Sequence, residues 1–150
     1  ISRGLVGSEM CIRDSLHCML RVADLKKSVL FFNQCLDLQV IRSFDNPVGR
    51  FSLVYLAYPA SDFEIELTHN WDIDTYQTGN SFGHIAIRVD DIYDVCQRVI
   101  DFGYTINRPP RDGSMAFFKT PDGISIELLQ NGAPLTLSDP WLSMENNGTW

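Results

Sequence analysis

From residue 16 onward, apolar and polar positions fall into a strict order. Leu16, Cys18, Leu20 and Val22 alternate with His17, Met19 and Arg21, the period-two signature of a strand whose faces differ. Asp24 then stands where it can cap a helix over Leu25–Leu36, within which Val29, Phe32 and Leu36 recur at helical spacing. Strands are predicted near 38–44, 51–58 and 63–70. The order then starts again. Ile85, Ile87 and Val89 alternate with polar or small residues, and Asp91 precedes Ile92, Val95, Val99 and Ile100 in helical register. Gly103 is placed to end that helix. Further strands are predicted near 104–107, 114–120 and 124–129, the last preceded by the turn Pro121-Asp122-Gly123.

The restart is an internal repeat. His17-Cys-Met-Leu-Arg21-Val22-Ala-Asp24-Leu25 matches His84-Ile-Ala-Ile-Arg88-Val89-Asp-Asp91-Ile92, and Ile65-Glu66-Leu67 with Asn70 matches Ile126-Glu127-Leu128 with Asn131. The chain reads as an α+β protein of paired βαβββ modules, at about 16–70 and 82–131, forming one domain over 16–131. Residues 132–150 follow as a tail. A four-stranded sheet with a helix on one face buries only that face; the other needs a partner module or encloses a site.

Alternation decides what the other face carries. In the first strand of each module the apolar side faces the helix, which puts His17 and His84 opposite. In the last strand, Ile65 with Leu67 and Ile126 with Leu128 are apolar, which puts Glu66 and Glu127 opposite. Each module therefore presents one imidazole and one carboxylate at matching positions. Two of each make a ligand set for a borderline divalent ion such as zinc, nickel or cobalt. With neutral histidines, the two carboxylates balance a 2+ charge and lower the cost of burying it. A single such residue is usually a solvated surface group; four at repeat-equivalent positions, using two of the chain's three histidines, are a pattern.

Composition narrows the partners. A net charge of −7 without a Lys/Arg cluster argues against nucleic acid or an anionic membrane surface. No apolar run approaches the roughly 20 residues that span a bilayer. Cys11, Cys18, Cys35 and Cys96 form no C-x-x-C pair, and Cys18 and Cys96 lie in apolar patterns. They read as buried free thiols, which points to a reducing, cytoplasmic compartment. Residues 1–15 lack a Met start, an apolar h-region and the patterning that follows, and read as a non-native-looking extension outside the fold.

The segments Leu16-His-Cys-Met-Leu-Arg-Val22, Ile65-Glu-Leu-Thr-His-Asn-Trp71, Phe82-Gly-His-Ile-Ala86 and Pro121-Asp-Gly-Ile-Ser-Ile-Glu-Leu128 resemble the vicinal oxygen chelate superfamily and, within it, glyoxalase I. The resemblance implies the glyoxalase/bleomycin resistance/dihydroxybiphenyl dioxygenase-like fold, and metal ligands at His17, Glu66, His84 and Glu127. It implies glutathione contacts at Arg21, Asn70 and Arg108. Arg21 lies on the face of His17 about 13 Å along the strand, and arginine suits bidentate grip of a carboxylate. The implied substrate is the hemithioacetal of methylglyoxal and glutathione. The implied product is S-D-lactoylglutathione, made through an enediolate by moving a proton from C1 to C2. Glu127 is the implied base and Glu66 its pseudo-symmetric counterpart. The compact bacterial type that this chain resembles prefers nickel or cobalt over zinc. It is usually a homodimer in which His17 and Glu66 of one subunit meet His84 and Glu127 of the other. Two departures touch the glutathione grip: Asn80 and Ser81 stand where some members carry an arginine, and the stretch 109–115 is short. His69 reads as a polar loop residue, and Arg88 has no role to inherit.

Two other readings remain open on these residues. One is another metalloenzyme of the superfamily, an epimerase or a thiol transferase. The other is a metal-free small-molecule binder, which the presence of all four candidate ligands disfavours.

Overall fold

The computed structural model describes residues 14–148 and Trp150 of the chain. The expectations for residues 1–13, Cys11 included, lie outside the described residues. The first module runs β1 (His17–Arg21), α1 (Leu25–Leu36), β2 (Gln39–Asn46), β3 (Phe51–Ala57) and β4 (Glu64–Asn70). The second runs β5 (His84–Val89), α2 (Ile92–Asp101), β6 (Ile106–Arg108), β7 (Met115–Lys119) and β8 (Ser125–Gln130). The sheets have the orders β1-β4-β3-β2 and β5-β8-β7-β6. In each, the first and last strands pair in parallel and the remainder antiparallel. The helix and two strands between them supply the long crossover that a parallel pair requires.

Both helices start where the sequence places them. Asp24 accepts from the Lys27 N–H at 2.9 Å, and Asp91 from the Tyr93 and Asp94 N–H groups at 3.0 Å each. They end differently. Past α2, Gly103 takes the left-handed conformation at φ 97°, as expected. α1 has no glycine and ends at Asp37, itself left-handed at φ 59°, a conformation aspartate tolerates better than most residues. The Asn33 side chain then donates to the Leu38 carbonyl at 3.0 Å and fixes the exit. β6 is shorter than the alternation implies. A register shift separates Ile106 from Arg108, and Pro109-Pro110, which have no N–H to donate, stop the pairing.

One core unites the two modules. The apolar faces of both sheets and both helices share a cluster containing Leu20, Phe32, Leu67, Ile92, Val99, Ile126 and Leu128. Phe31 of α1 is fully buried and meets Phe102, Tyr104 and Phe118 of the second module at ring-centroid distances of 5.6, 5.1 and 5.9 Å. Cys35 and Cys96 are buried in this core, and Cys18 is half-buried. Burial pushes the Cys35 thiol up to about 11 and, with help from Asp91, that of Cys96 up to about 12, so both stay protonated and unreactive near neutrality. Among the described residues no helix is long and apolar enough to cross a membrane.

The tail packs back on the second module. The Leu135 N–H donates to the Gly113 carbonyl at 3.0 Å, where a Cβ on residue 113 would lie 2.4 Å from the Leu135 oxygen. Trp141 is buried and stacks on Tyr93 at 5.6 Å, and the Asn147 N–H donates to the Asn107 carbonyl at 2.9 Å.

A second tie joins the modules. Asp122, in the predicted turn, accepts from the Ala23 N–H at 2.8 Å and from the Ser28 hydroxyl at 3.0 Å, and Ser28 is buried. Asp122→Ala leaves both donors unpaired and is expected to cost about 1–3 kcal/mol. The check is a lowered urea midpoint at unchanged m-value.

Candidate metal and substrate site

Because the core takes the helix-side faces, the opposite faces of both sheets remain open, and the predicted ligands stand there. His17 on β1 and Glu66 on β4 come together with Nε2–Oε2 at 3.0 Å; His84 on β5 and Glu127 on β8 do so at 3.1 Å. The histidine side chains are 40% and 43% exposed and the carboxylates 12% and 14%. The pairing is diagonal across the parallel strands. His17 is in register with Glu64 and Met19 with Glu66, so the imidazole leans one step along β4 to reach its carboxylate. In the second module His84 is in register with Ser125 and Ala86 with Glu127.

The donor set fits a divalent ion. Two ligands about 2.1 Å from one ion and at right angles to each other lie about 3.0 Å apart, and both pairs have that separation. Each module supplies only two of the four predicted ligands, however. Among the described residues no three His, Cys, Asp or Glu side chains group together in a way that could hold an ion. The structure thus brings His17 to Glu66 and His84 to Glu127, and does not bring the two pairs together within one chain.

Aromatic and polar neighbours frame the first pair. Tyr55 on β3 is in register with Glu66, and its ring meets the His17 imidazole edge-on at 6.0 Å. Burial, and then the Glu66 carboxylate beside it, raises the Tyr55 phenol above its ordinary value, with Arg42 pulling the other way. The Arg42 guanidinium lies 3.8 Å above the Tyr55 ring and bonds Glu64 through two nitrogens, at 2.7 and 2.5 Å. Its hydrogen bonds hold the Glu64 carboxyl below the usual carboxylate range. In the second module Phe117 takes the place of Tyr55, in register with Glu127 and edge-on to His84 at 5.3 Å. Trp150 stacks on Phe117 at 5.5 Å and, with Lys119 and Ser125, lines a cavity of ≈ 260 Å³ beside His84.

The residues carried over for glutathione have different surroundings. Arg21 is exposed at the end of β1, in a cleft of ≈ 240 Å³ with Met19, Tyr76, Thr78 and Phe82. Asn70 ends β4 and accepts from the Tyr76 hydroxyl at 3.1 Å; among the described residues its amide nitrogen has no acceptor. Arg108 is engaged already: it donates to the Met115 carbonyl at 2.6 Å and to Asp112 at 3.1 Å. Burial alone would raise Asp112, but the Ser114 amide, Arg108 and the Met115 amide outweigh it and hold the carboxyl below its ordinary value. His69 is not a loop residue. It lies in β4, where its Nδ1 meets the Val22 carbonyl at 3.1 Å and ties β1 to β4. Tyr55, Thr68, the Arg42–Glu64 pair and Trp150 were not singled out in the sequence. For Tyr55 a signal was present, because Phe51, Leu53 and Tyr55 share one parity on a predicted strand.

Known proteins share this architecture and sequence. Residues 15–128 match the family model of the Glyoxalase/Bleomycin resistance protein/Dioxygenase superfamily. The lactoylglutathione lyase of Haemophilus influenzae is 43% identical over 123 residues, covering 77% of this chain and 91% of that protein. That of Neisseria meningitidis is 43% identical over 122 residues, covering 77% and 88%. Among solved structures, the trypanothione-dependent glyoxalase I of Leishmania major superposes with a TM-score of 0.75 at 36% identity, covering 79% of this chain and 87% of that one. The chain belongs to the Glyoxalase/Bleomycin resistance protein/Dioxygenase superfamily and, within it, to the lactoylglutathione lyase family.

Proposed function

We propose that this protein is a divalent-metal lactoylglutathione lyase, a carbon–sulfur lyase that isomerises the hemithioacetal of methylglyoxal and glutathione to S-D-lactoylglutathione. The observation that carries this reading is the pair of matched His–Glu half-sites, one per module, in a chain so similar to named lyases. His17, Glu66, His84 and Glu127 would hold the ion, with nickel or cobalt favoured and zinc possible. When bound, the ion supplies Lewis-acid stabilisation of the negative charge that develops on the substrate oxygens. Glu127 takes the proton from C1 and returns it to C2. Arg21 and the free amide of Asn70 hold carboxylates of the tripeptide, while Phe117, Trp150 and the Tyr55 ring keep water from the reacting carbons. Arg108 keeps guanidinium donors beyond those spent on Met115 and Asp112, and these reach toward the same tripeptide.

The half-sites support a homodimer with sites at its interface. Each open face offers two candidate ligands, one of them an exposed imidazole, and apolar side chains such as Phe44 and Phe82 stand uncovered, at 55% and 46% exposure. Pairing the first module of one copy with the second module of another completes both sites at once, as two-fold symmetry requires. The cytoplasm suits such an enzyme, with three thiols free among the described residues. The Leishmania major relative favours one second reading: another thiol in place of glutathione as cosubstrate.

Three outcomes are expected. Apo-protein refilled with nickel, cobalt or zinc produces thioester absorbance from methylglyoxal and glutathione; silence with every ion and with both glutathione and trypanothione refutes the assignment. Glu127→Gln lowers kcat by a factor on the order of 10²–10⁴ while nickel remains bound in calorimetry. His17→Ala and His84→Ala are each inactive, yet unfolding and refolding them together restores about a quarter of wild-type activity, because half of the dimers carry one intact site. No recovery on mixing would place the sites within single chains.

A further inference from the structure

Glu66 and Glu127 stand at equivalent positions of the two modules, and their surroundings differ. The Thr68 hydroxyl donates to Glu66 Oε1 at 3.2 Å, while Oε2 of the same carboxylate faces His17 Nε2 at 3.0 Å. Both oxygens are engaged. Thr68 is 8% exposed, so its hydroxyl is poorly supplied by water and uses a protein acceptor. Its β-branched side chain in mid-strand has few rotamers, which makes the hydroxyl a rigid donor. Tyr55 lies across from Glu66 in register and adds a phenol to that side.

The second module keeps the histidine contact and lacks the hydroxyls. Leu129 occupies the position two residues past Glu127 where Thr68 follows Glu66, and Phe117 occupies the position of Tyr55. Neither side chain can donate a hydrogen bond. Among the described residues, Glu127 has one polar side-chain contact, His84 Nε2 at 3.1 Å, and its other oxygen has no donor.

We propose that Thr68 is a positioning residue that fixes Glu66 as the permanent carboxylate ligand, and that the donor-free surroundings of Glu127 leave that carboxylate able to rotate and carry the proton. The inference rests on the lyase reading and says how a duplicated pair of carboxylates acquires two roles. Partners of metal ligands orient them and strengthen ion binding. A carboxylate held through both oxygens keeps one rotamer, whereas the terminal torsion of a glutamate held at one oxygen is soft. Movement then falls to Glu127.

Three variants test this. Thr68→Val keeps shape and branching without the donor, Thr68→Ser keeps the hydroxyl, and Leu129→Thr installs one beside Glu127. Nickel affinity is measured by titration of apo-protein, and kcat and KM with the fully nickel-loaded enzyme. T68V is expected to weaken nickel binding on the order of 10–100-fold, with T68S close to wild type. L129T is expected to bind nickel no more weakly than wild type and to lose kcat on the order of tenfold at unchanged KM. T68V binding nickel as tightly as wild type, T68S as weak as T68V, or L129T with full kcat would each overturn the proposal. A wild-type protein that binds nickel but forms no thioester removes the lyase reading instead, and the order of nickel affinities then decides the role of Thr68 alone.

Discussion

Strand alternation under a single shared core is the constraint from which the site follows. A strand sends successive side chains to opposite faces. Once Leu20, Leu67, Ile87, Ile126 and Leu128 are committed to the core beneath α1 and α2, the neighbours His17, Glu66, His84 and Glu127 have to project from the other side. The interdigitation of Phe31 with Phe102, Tyr104 and Phe118 makes that commitment common to both modules. A slip of one residue in either sheet would exchange the faces, burying these four side chains and exposing the core. The register is therefore as much a functional feature as a structural one.

The same arrangement explains why one chain holds two separate His–Glu pairs. Modules packed through their helix sides direct their open faces to different regions of surface. Each pair then has a carboxylate with little exposure beside a half-exposed imidazole. In the proposed dimer, burying a second face around a shared ion would relieve both conditions together: the carboxylates would meet a cation, and uncovered apolar groups such as Phe44 would find cover. A duplicated fold would give such a site for little added sequence, since each copy would need to contribute only two ligands.

Duplication also permits divergence. Thr68 and Leu129, or Tyr55 and Phe117, are equivalent by position and different in chemistry. A hydroxyl on one side and hydrocarbon on the other give two identical carboxylates different surroundings. The tail adds a third asymmetry, because Trp141 and Trp150 both pack on the second module.

Much was legible in the sequence because it depends on local periodicity. Period-two alternation gave the strands and the faces of His17, Glu66, His84 and Glu127. Helical spacing with Asp24 and Asp91 as caps gave both helices, and the repeat gave their pairing into modules. Features set by contacts between distant residues were not legible. The tie from Asp122 to Ser28 and the bond between His69 and the Val22 carbonyl belong to that class. Local spacing fixes which way a side chain points, but only packing of the helices against one another decides where each open face lies.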